Sequence, residues 1–249
     1  MKRTLLVTLL SLAAAHANAA AIAYINATGG NVNYLTGYGH TVTNISNPIG
    51  LTLGALSAYD AVIVASNSVF SESSNIGNVL GAFADAGGGV VLTEFVFQGG
   101  WALGGTIMDA SHSPFTIDAA SSGYFISSNL GTIYDAGNSI FSGVNTASLN
   151  TQYQALVGTN MGAQLVADWA SGRHAIGIMD LNTSSVVALN LFPDAAYTTG
   201  TGVDTQHLVA NAVARSLQGG GQQPVPEPAT LGLLGLGLAG LGFARRRAA

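Results

Sequence analysis

Cysteine is absent from this 249-residue sequence, and basic side chains are scarce. Without cysteine the chain has no disulfide framework, which is compatible with export but does not require it. Five of the seven basic residues lie at the two ends of the chain. The body keeps Arg173 and Arg215 against eleven carboxylates, a net charge near −9, and it has no lysine. Because it has no basic patch that could neutralise phosphate groups, we predict that it binds no nucleic acid.

The last 25 residues combine a proline-rich segment, an uncharged apolar segment and three arginines. The prolines lack backbone donors and hold their neighbours extended, so residues 219–228, rich in Gly, Gln and Pro, are predicted to form an exposed tether. Residues 229–244 are uncharged and would span roughly 24 Å as a helix. The cations that follow them resist translocation. Residues 229–249 are therefore predicted to be a transmembrane helix with a cytoplasmic arginine tail, formed by Arg245, Arg246 and Arg247.

The N-terminus has the features of a secretory signal peptide. Lys2 and Arg3 form a basic start, and an apolar stretch too short to span a membrane follows them. Ala17 and Ala19 fit the small-x-small cleavage pattern, which predicts a signal peptide at residues 1–19 and a mature chain that starts near residue 20. Cleavage after Ala17 is an alternative. We expect the Sec translocon and signal peptidase to act on this end.

The C-terminal segment resembles the PEP-CTERM sorting signal, the substrate tag of exosortases in exopolysaccharide-producing Gram-negative bacteria. The resemblance rests on the Leu/Gly-rich segment, the terminal arginines and the motif residues Val225, Pro226, Glu227 and Pro228. It implies a transient inner-membrane intermediate and cleavage near the motif by an exosortase-type membrane protease. The product is then expected at the cell surface or in the extracellular matrix.

The first half of the body predicts a parallel α/β unit. Apolar strands are predicted at residues 21–26, 40–45, 61–65 and 90–92, with an amphipathic helix at 74–86 that ends at three glycines. The second half predicts strands at 164–167, 175–179 and 186–191, and a closing helix capped by Asp204. We expect the region at about 100–155 to be an irregular insertion with short strands and one helix.

Residues 59–64, 83–92 and 187–194 resemble the class I glutamine amidotransferase-like (flavodoxin-like) superfamily, nearest to its trehalose-utilisation-type branch. The resemblance covers most of residues 20–218 and implies an α/β fold, with a mostly parallel sheet, helices on both faces and the hydrophobic C-terminal helix as an addition. Glu94 and its bulky neighbours stand where active members carry a cysteine nucleophile. The family's cysteine mechanism is therefore excluded.

The candidate ligand pocket consists of Glu94, Asp194 and His207, which the predicted topology brings toward the carboxyl edge of the parallel strands. A cation or a sugar is the expected ligand. His112, beside Ser111 and Ser113, is predicted to be a solvated loop histidine. Trp101 and Trp169 either stack on sugars or belong to the core. We assign no catalytic residue and no cofactor, and no metal ligand set is defined by spacing.

Three functions fit these features. The first is a non-catalytic exported protein that contributes binding or structure in an exopolysaccharide layer. The second is a glycan- or peptide-acting hydrolase that uses carboxylates at the sheet edge. The third is a cation-dependent adhesion module. Because the sequence has no clustered nucleophile and no metal motif, the first is favoured over the second.

Overall fold

A computed structural model describes residues 19–120, 125–198 and 202–219, and a nine-stranded sheet runs through them. The strands are β1 Ala21–Asn26, β2 Thr41–Ser46, β3 Ala61–Ala65, β4 Gly89–Thr93, β5 Phe125–Ile133, β6 Asn150–Tyr153, β7 Gln164–Trp169, β8 His174–Asp180 and β9 Ser185–Leu189. Their order across the sheet is β2-β1-β3-β4-β9-β8-β7-β5-β6. The predicted α/β fold class is confirmed, and the predicted strands of both halves are present.

The first part of the sheet, from β2 to β9, is parallel. Every residue of β3, β4 and β9 is buried, as expected for strands that are covered on both faces. The rest of the sheet is antiparallel, because β8 pairs with β9 and β7, and β5 pairs with β7 and β6. Short turns join β7, β8 and β9, and such turns permit only antiparallel pairing. The sheet is therefore mixed.

The α-helices are α1 Leu53–Leu56, α2 Ser73–Asp85, α3 Ala195–Thr198 and α4 Val203–Ser216. Shorter 3-10 helices are Asn33–Tyr38, Glu94–Phe97, Thr106–Met108, Ser139–Phe141 and Thr146–Ser148. Helix α2 packs Ile76 and Leu80 on one face of the sheet, and α4 packs Leu208 and Val213 on the other. Two apolar cores result, one on each face, which confirms the prediction of helices on both sides.

Two local predictions are corrected. Asp204 does not cap the closing helix: α4 begins at Val203 with Gly202 at the N-cap, and the Asp204 carboxylate accepts from Asn145 N at 2.8 Å and from the Ser148 hydroxyl. The helix expected in the insertion is also wrong for its described part, where only 3-10 turns accompany β5 and β6. Polar side chains there bond to nearby backbone groups instead of permitting a longer helix.

Both predicted targeting segments fall largely outside the described residues. The structure does not describe residues 1–18, which include Ala17, or residues 220–249, which include the sorting motif, the predicted apolar helix and the arginines. Within the described ranges, no helix is long and apolar enough to cross a bilayer.

Candidate functional site

The carboxyl edge of the parallel strands carries an enclosed carboxylate, Glu94, directly after β4. Its backbone nitrogen donates to Leu191 O at 3.0 Å, which ties it to the segment after β9. The side chain is completely buried. Its Oε2 accepts from Phe95 N at 2.7 Å, whereas Oε1 has no hydrogen-bond partner among the described residues. A 3-10 helix, Glu94–Phe97, starts at this residue, and all four of its residues are buried.

Burial raises the pKa of the Glu94 carboxyl well above its usual value. The Arg173 guanidinium opposes this shift, and the negative charge of Asp118 adds to it. An ionised carboxylate with one unpaired buried oxygen is costly, so the neutral acid is the form that this environment favours.

Further buried polar groups that the sequence did not indicate lie in the segments linked to that of Glu94. Asp118 is only 6% exposed, and its Oδ2 accepts from Leu156 N at 3.2 Å. The backbones of Gln98 and Asp118 form an isolated parallel β-bridge. The Oε1 atom of Gln98 is buried without a hydrogen-bond partner among the described residues. Asn190, after β9, holds the backbone of Ala155 through its side-chain oxygen and nitrogen at 2.8 and 2.9 Å. Asp118 and Gln98 lie outside any regular strand or helix, so no periodic pattern could have identified them.

Asp194 lies at the same edge, after β9, where its carboxylate holds two backbone segments. Oδ2 accepts from Asn31 N at 2.7 Å and Oδ1 accepts from Ala196 N at 2.9 Å, so the loop after β1 is joined to the start of α3. A side chain at Gly30 would collide with Oδ2. The hydroxyl of the buried Tyr24 has a raised pKa, chiefly because of burial and also because of the charge of Asp194.

His207 lies on α4, in contact with different partners. Its ring centroid is 5.3 Å from that of Tyr38, and a side chain at Gly143 would meet its Cε1. The pKa of Asp204 is lowered by hydrogen bonds from Ser148 and Asn145 and by the nearby His207. The structure thus places Glu94 and Asp194 at one sheet edge and His207 against the turns that pack on α4. That the three form one ligand pocket stays a prediction.

The aromatic residues at this edge form a continuous cluster. Phe95 lies 5.3 Å from Trp101, 5.2 Å from Tyr153 and 5.2 Å from Phe192, measured between ring centroids. Trp169 is a core residue, 1% exposed, and its indole nitrogen donates to Asn190 O at 2.9 Å. Of the two tryptophans considered for sugar stacking, only Trp101 therefore retains accessible surface.

His112 is not the solvated loop residue that we predicted. Its side chain is 10% exposed, with Nδ1 3.0 Å from Ser111 Oγ and Nε2 3.1 Å from Asp85 Oδ1. Asp85 ends α2, so this chain of contacts fastens a turn of the insertion to the end of a helix. Because Asp85 precedes His112 by 27 residues, local sequence gave no sign of the pairing. Across the described residues, no three His, Cys, Asp or Glu side chains are grouped so that they could hold a metal ion.

Comparison with known proteins places this body among α/β proteins of known structure. It is similar to Cytoplasmic Protein STM1381 from Salmonella typhimurium LT2, with 11% identity, coverage of 79% of this chain and 98% of that one, and a TM-score of 0.57. Cytoplasmic Protein STM3548 from Salmonella typhimurium is 8% identical, with coverage of 77% of this chain and 97% of that one, and a TM-score of 0.54. A ThuA-like protein from Parabacteroides merdae ATCC 43184 is 14% identical, with coverage of 84% of this chain and 94% of that one, and a TM-score of 0.50. At these identities the likenesses show the fold alone, and they agree with the predicted α/β fold.

A family model supplies the second comparison. Residues 224–247 match the PEP-CTERM protein-sorting motif. The motif implies export and recognition by an exosortase, a membrane protein, with the cell surface as the destination. A search of curated proteins gives no match to the chain.

Proposed function

We propose that this chain is an exported protein of a Gram-negative bacterium, sorted by an exosortase-type enzyme to the cell surface or its exopolysaccharide matrix. Its body acts there as a non-catalytic binding or structural module. In this proposal residues 1–19 are the signal peptide, 20–218 the exported body, 219–228 the tether and 229–249 the transmembrane sorting helix. The sorting-motif match at 224–247 carries the proposal.

The chemistry of the body supports the non-catalytic part of this proposal. The sequence has no cysteine, so the nucleophile of the amidotransferase fold is missing. Glu94 stands at the position of that nucleophile, directly after β4. Its carboxylate is completely buried, and one carboxylate oxygen accepts a hydrogen bond from the backbone nitrogen of Phe95. A general acid or base needs to reach the proton it transfers, and a carboxylate enclosed in this way does not reach an external substrate.

Binding and turnover measured together test this function. Residues 20–223 contain both apolar cores and are suitable for expression without the two terminal segments. We expect this fragment to bind at least one of dextran, glucomannan or alginate in affinity electrophoresis, with no release of reducing ends during prolonged incubation. The same assays are repeated with Ca²⁺ and with EDTA.

Each other outcome identifies a different function. New reducing ends, produced in proportion to the amount of protein, would show that the body is a hydrolase and not a non-catalytic binding module. Binding that requires Ca²⁺ and disappears in EDTA would indicate the cation-dependent adhesion module. Absence of binding to all three polymers would leave the matrix-binding part of the proposal without support and favour a purely structural role.

A further inference from the structure

A polar groove of about 310 Å³ lies on β5 and β6, the last two strands of the sheet. Six uncharged side chains line it: Ser127, Ser128, Asn129, Asn150, Thr151 and Gln152. Together they offer hydroxyl and amide groups that both donate and accept hydrogen bonds. In a body whose net charge is near −9, this groove is lined without a single carboxylate.

The groove is built by an irregular pairing of the two strands. Phe125 is opposite Tyr153, and Ser128 is opposite Thr151, so three steps along β5 match two steps along β6. A bulge of this kind bends its strand and redirects side chains, and bulges are common beside binding sites. The Ser128 hydroxyl accepts from Ser171 N at 3.0 Å and donates to Asn129 O at 3.1 Å. Part of the lining is therefore held in place before any ligand arrives.

An exposed aromatic ring lies on β5, two residues before the first residue that lines the groove. Phe125 is 68% exposed, although large apolar side chains of the body are mostly buried. Its ring meets that of Tyr153 edge to face with 5.3 Å between the centroids, and Tyr153 in turn contacts Phe95 of the aromatic cluster. The ring is thus supported from behind while its outer surface stays available to a ligand.

We infer that this groove binds a neutral, linear oligosaccharide. Sugar hydroxyls pair with amide and hydroxyl side chains, and the apolar face of a pyranose packs on an aromatic ring. Acidic glycans need cations, but Arg173 donates to Gln154 O and Arg215 is paired with Asp180 at 2.6 Å. The net negative charge of the body repels an anionic polymer. The inference rests on the proposed function and names the ligand class that its binding module takes.

Titration calorimetry on residues 20–223 with cellohexaose, mannohexaose, maltohexaose and hexagalacturonate tests this inference. We expect at least one neutral hexamer to bind and the acidic hexamer to bind less tightly. Phe125→Ala and the double change Asn129→Ala with Gln152→Ala are each expected to weaken neutral binding by about tenfold or more. The matched controls are Met161→Ala, an exposed apolar residue, and Thr43→Ala with Asn44→Ala on the opposite edge strand β2. They should retain wild-type affinity.

The outcomes separate this inference from the function on which it rests. If a neutral hexamer binds wild type and groove variants equally, the groove is not the site, although the protein remains a binding module. If no neutral hexamer binds, or if hexagalacturonate binds as tightly, the inference is overturned. If a bound hexamer is cleaved, the non-catalytic function fails while the groove stays the binding site, provided that the groove variants lose affinity. Thermal melting of each variant shows whether the fold is intact.

Discussion

Replacing Glu227 by alanine is expected to leave an uncut, membrane-retained precursor and to remove the mature body from the cell surface. Glu227 is the only acidic residue in the tail, and it stands between Pro226 and Pro228. Glu227 carries the one charge within the motif at residues 225–228, so we expect the protease to recognise its carboxylate. Loss of such a contact costs about 2 kcal/mol or more, which is more than about tenfold in affinity at 25 °C.

The measurement is a pulse-chase of the full chain in a host that carries an exosortase, with intact-mass analysis of membrane and surface fractions. Glu227→Gln separates the charge from the shape of the side chain and should resemble the alanine variant. Thr230→Ala, which lies just outside the Pro-Glu-Pro motif, should be processed like wild type. A surface fraction of unchanged mature mass in Glu227→Ala would contradict recognition through this carboxylate.

The parts of the fold that the sequence predicted well are those with strong apolar signals. Strands β1 and β3 have the predicted bounds, and α2 is displaced by one residue. Residues 61–65 are continuously apolar because β3 is covered on both faces. The glycines after α2 end it for a backbone reason, since Gly87 has φ of 99°, which other residues rarely adopt. In these segments local and tertiary preferences agree.

The parts that the sequence did not predict lack such signals. Strand β5 alternates between exposed and half-buried residues and is rich in Ser, Asn and Gly, so it carries little apolar periodicity. The orientation of β7 and β8 depends on turn length and not on strand composition. At the site, the position of Glu94 at the strand end was predictable from topology, but the electrostatic influence of Asp118 on it was not, because a long loop separates the two in sequence. Such an influence depends on tertiary structure alone.

At Glu94 the fold buries polar atoms in a way that lowers the stability of the folded state. Its Oε1 and the Oε1 of Gln98 are both buried acceptors without a partner among the described residues. Two unpaired acceptors in one turn are unfavourable, and a single proton on Glu94 reduces that cost because a protonated carboxyl also donates.

Replacing Glu94 by glutamine is therefore expected to stabilise the body at pH 8, by about 1 to 3 kcal/mol in the free energy of unfolding. Burial raises the pKa of Glu94 in the folded state above its unfolded value. Below the unfolded pKa both states are protonated, so the variant and wild type should be equally stable near pH 4. As the pH rises, the unfolded chain ionises first, and wild type loses stability until the folded pKa is passed. Glutamine has no proton to lose and escapes this decrease.

Denaturant unfolding of residues 20–223 at several pH values between 4 and 8 measures the difference. Glu72→Gln is the matched control, because Glu72 is a partly exposed carboxylate that accepts from Gly50 N at 2.7 Å. Its replacement should give no stabilisation at either pH. A Glu94→Gln protein that is destabilised equally at pH 4 and pH 8 would mean that shape and not charge governs this position. A destabilisation confined to pH 8 would mean that Glu94 is ionised and paired with Arg173, and the neutral-acid interpretation would then be wrong.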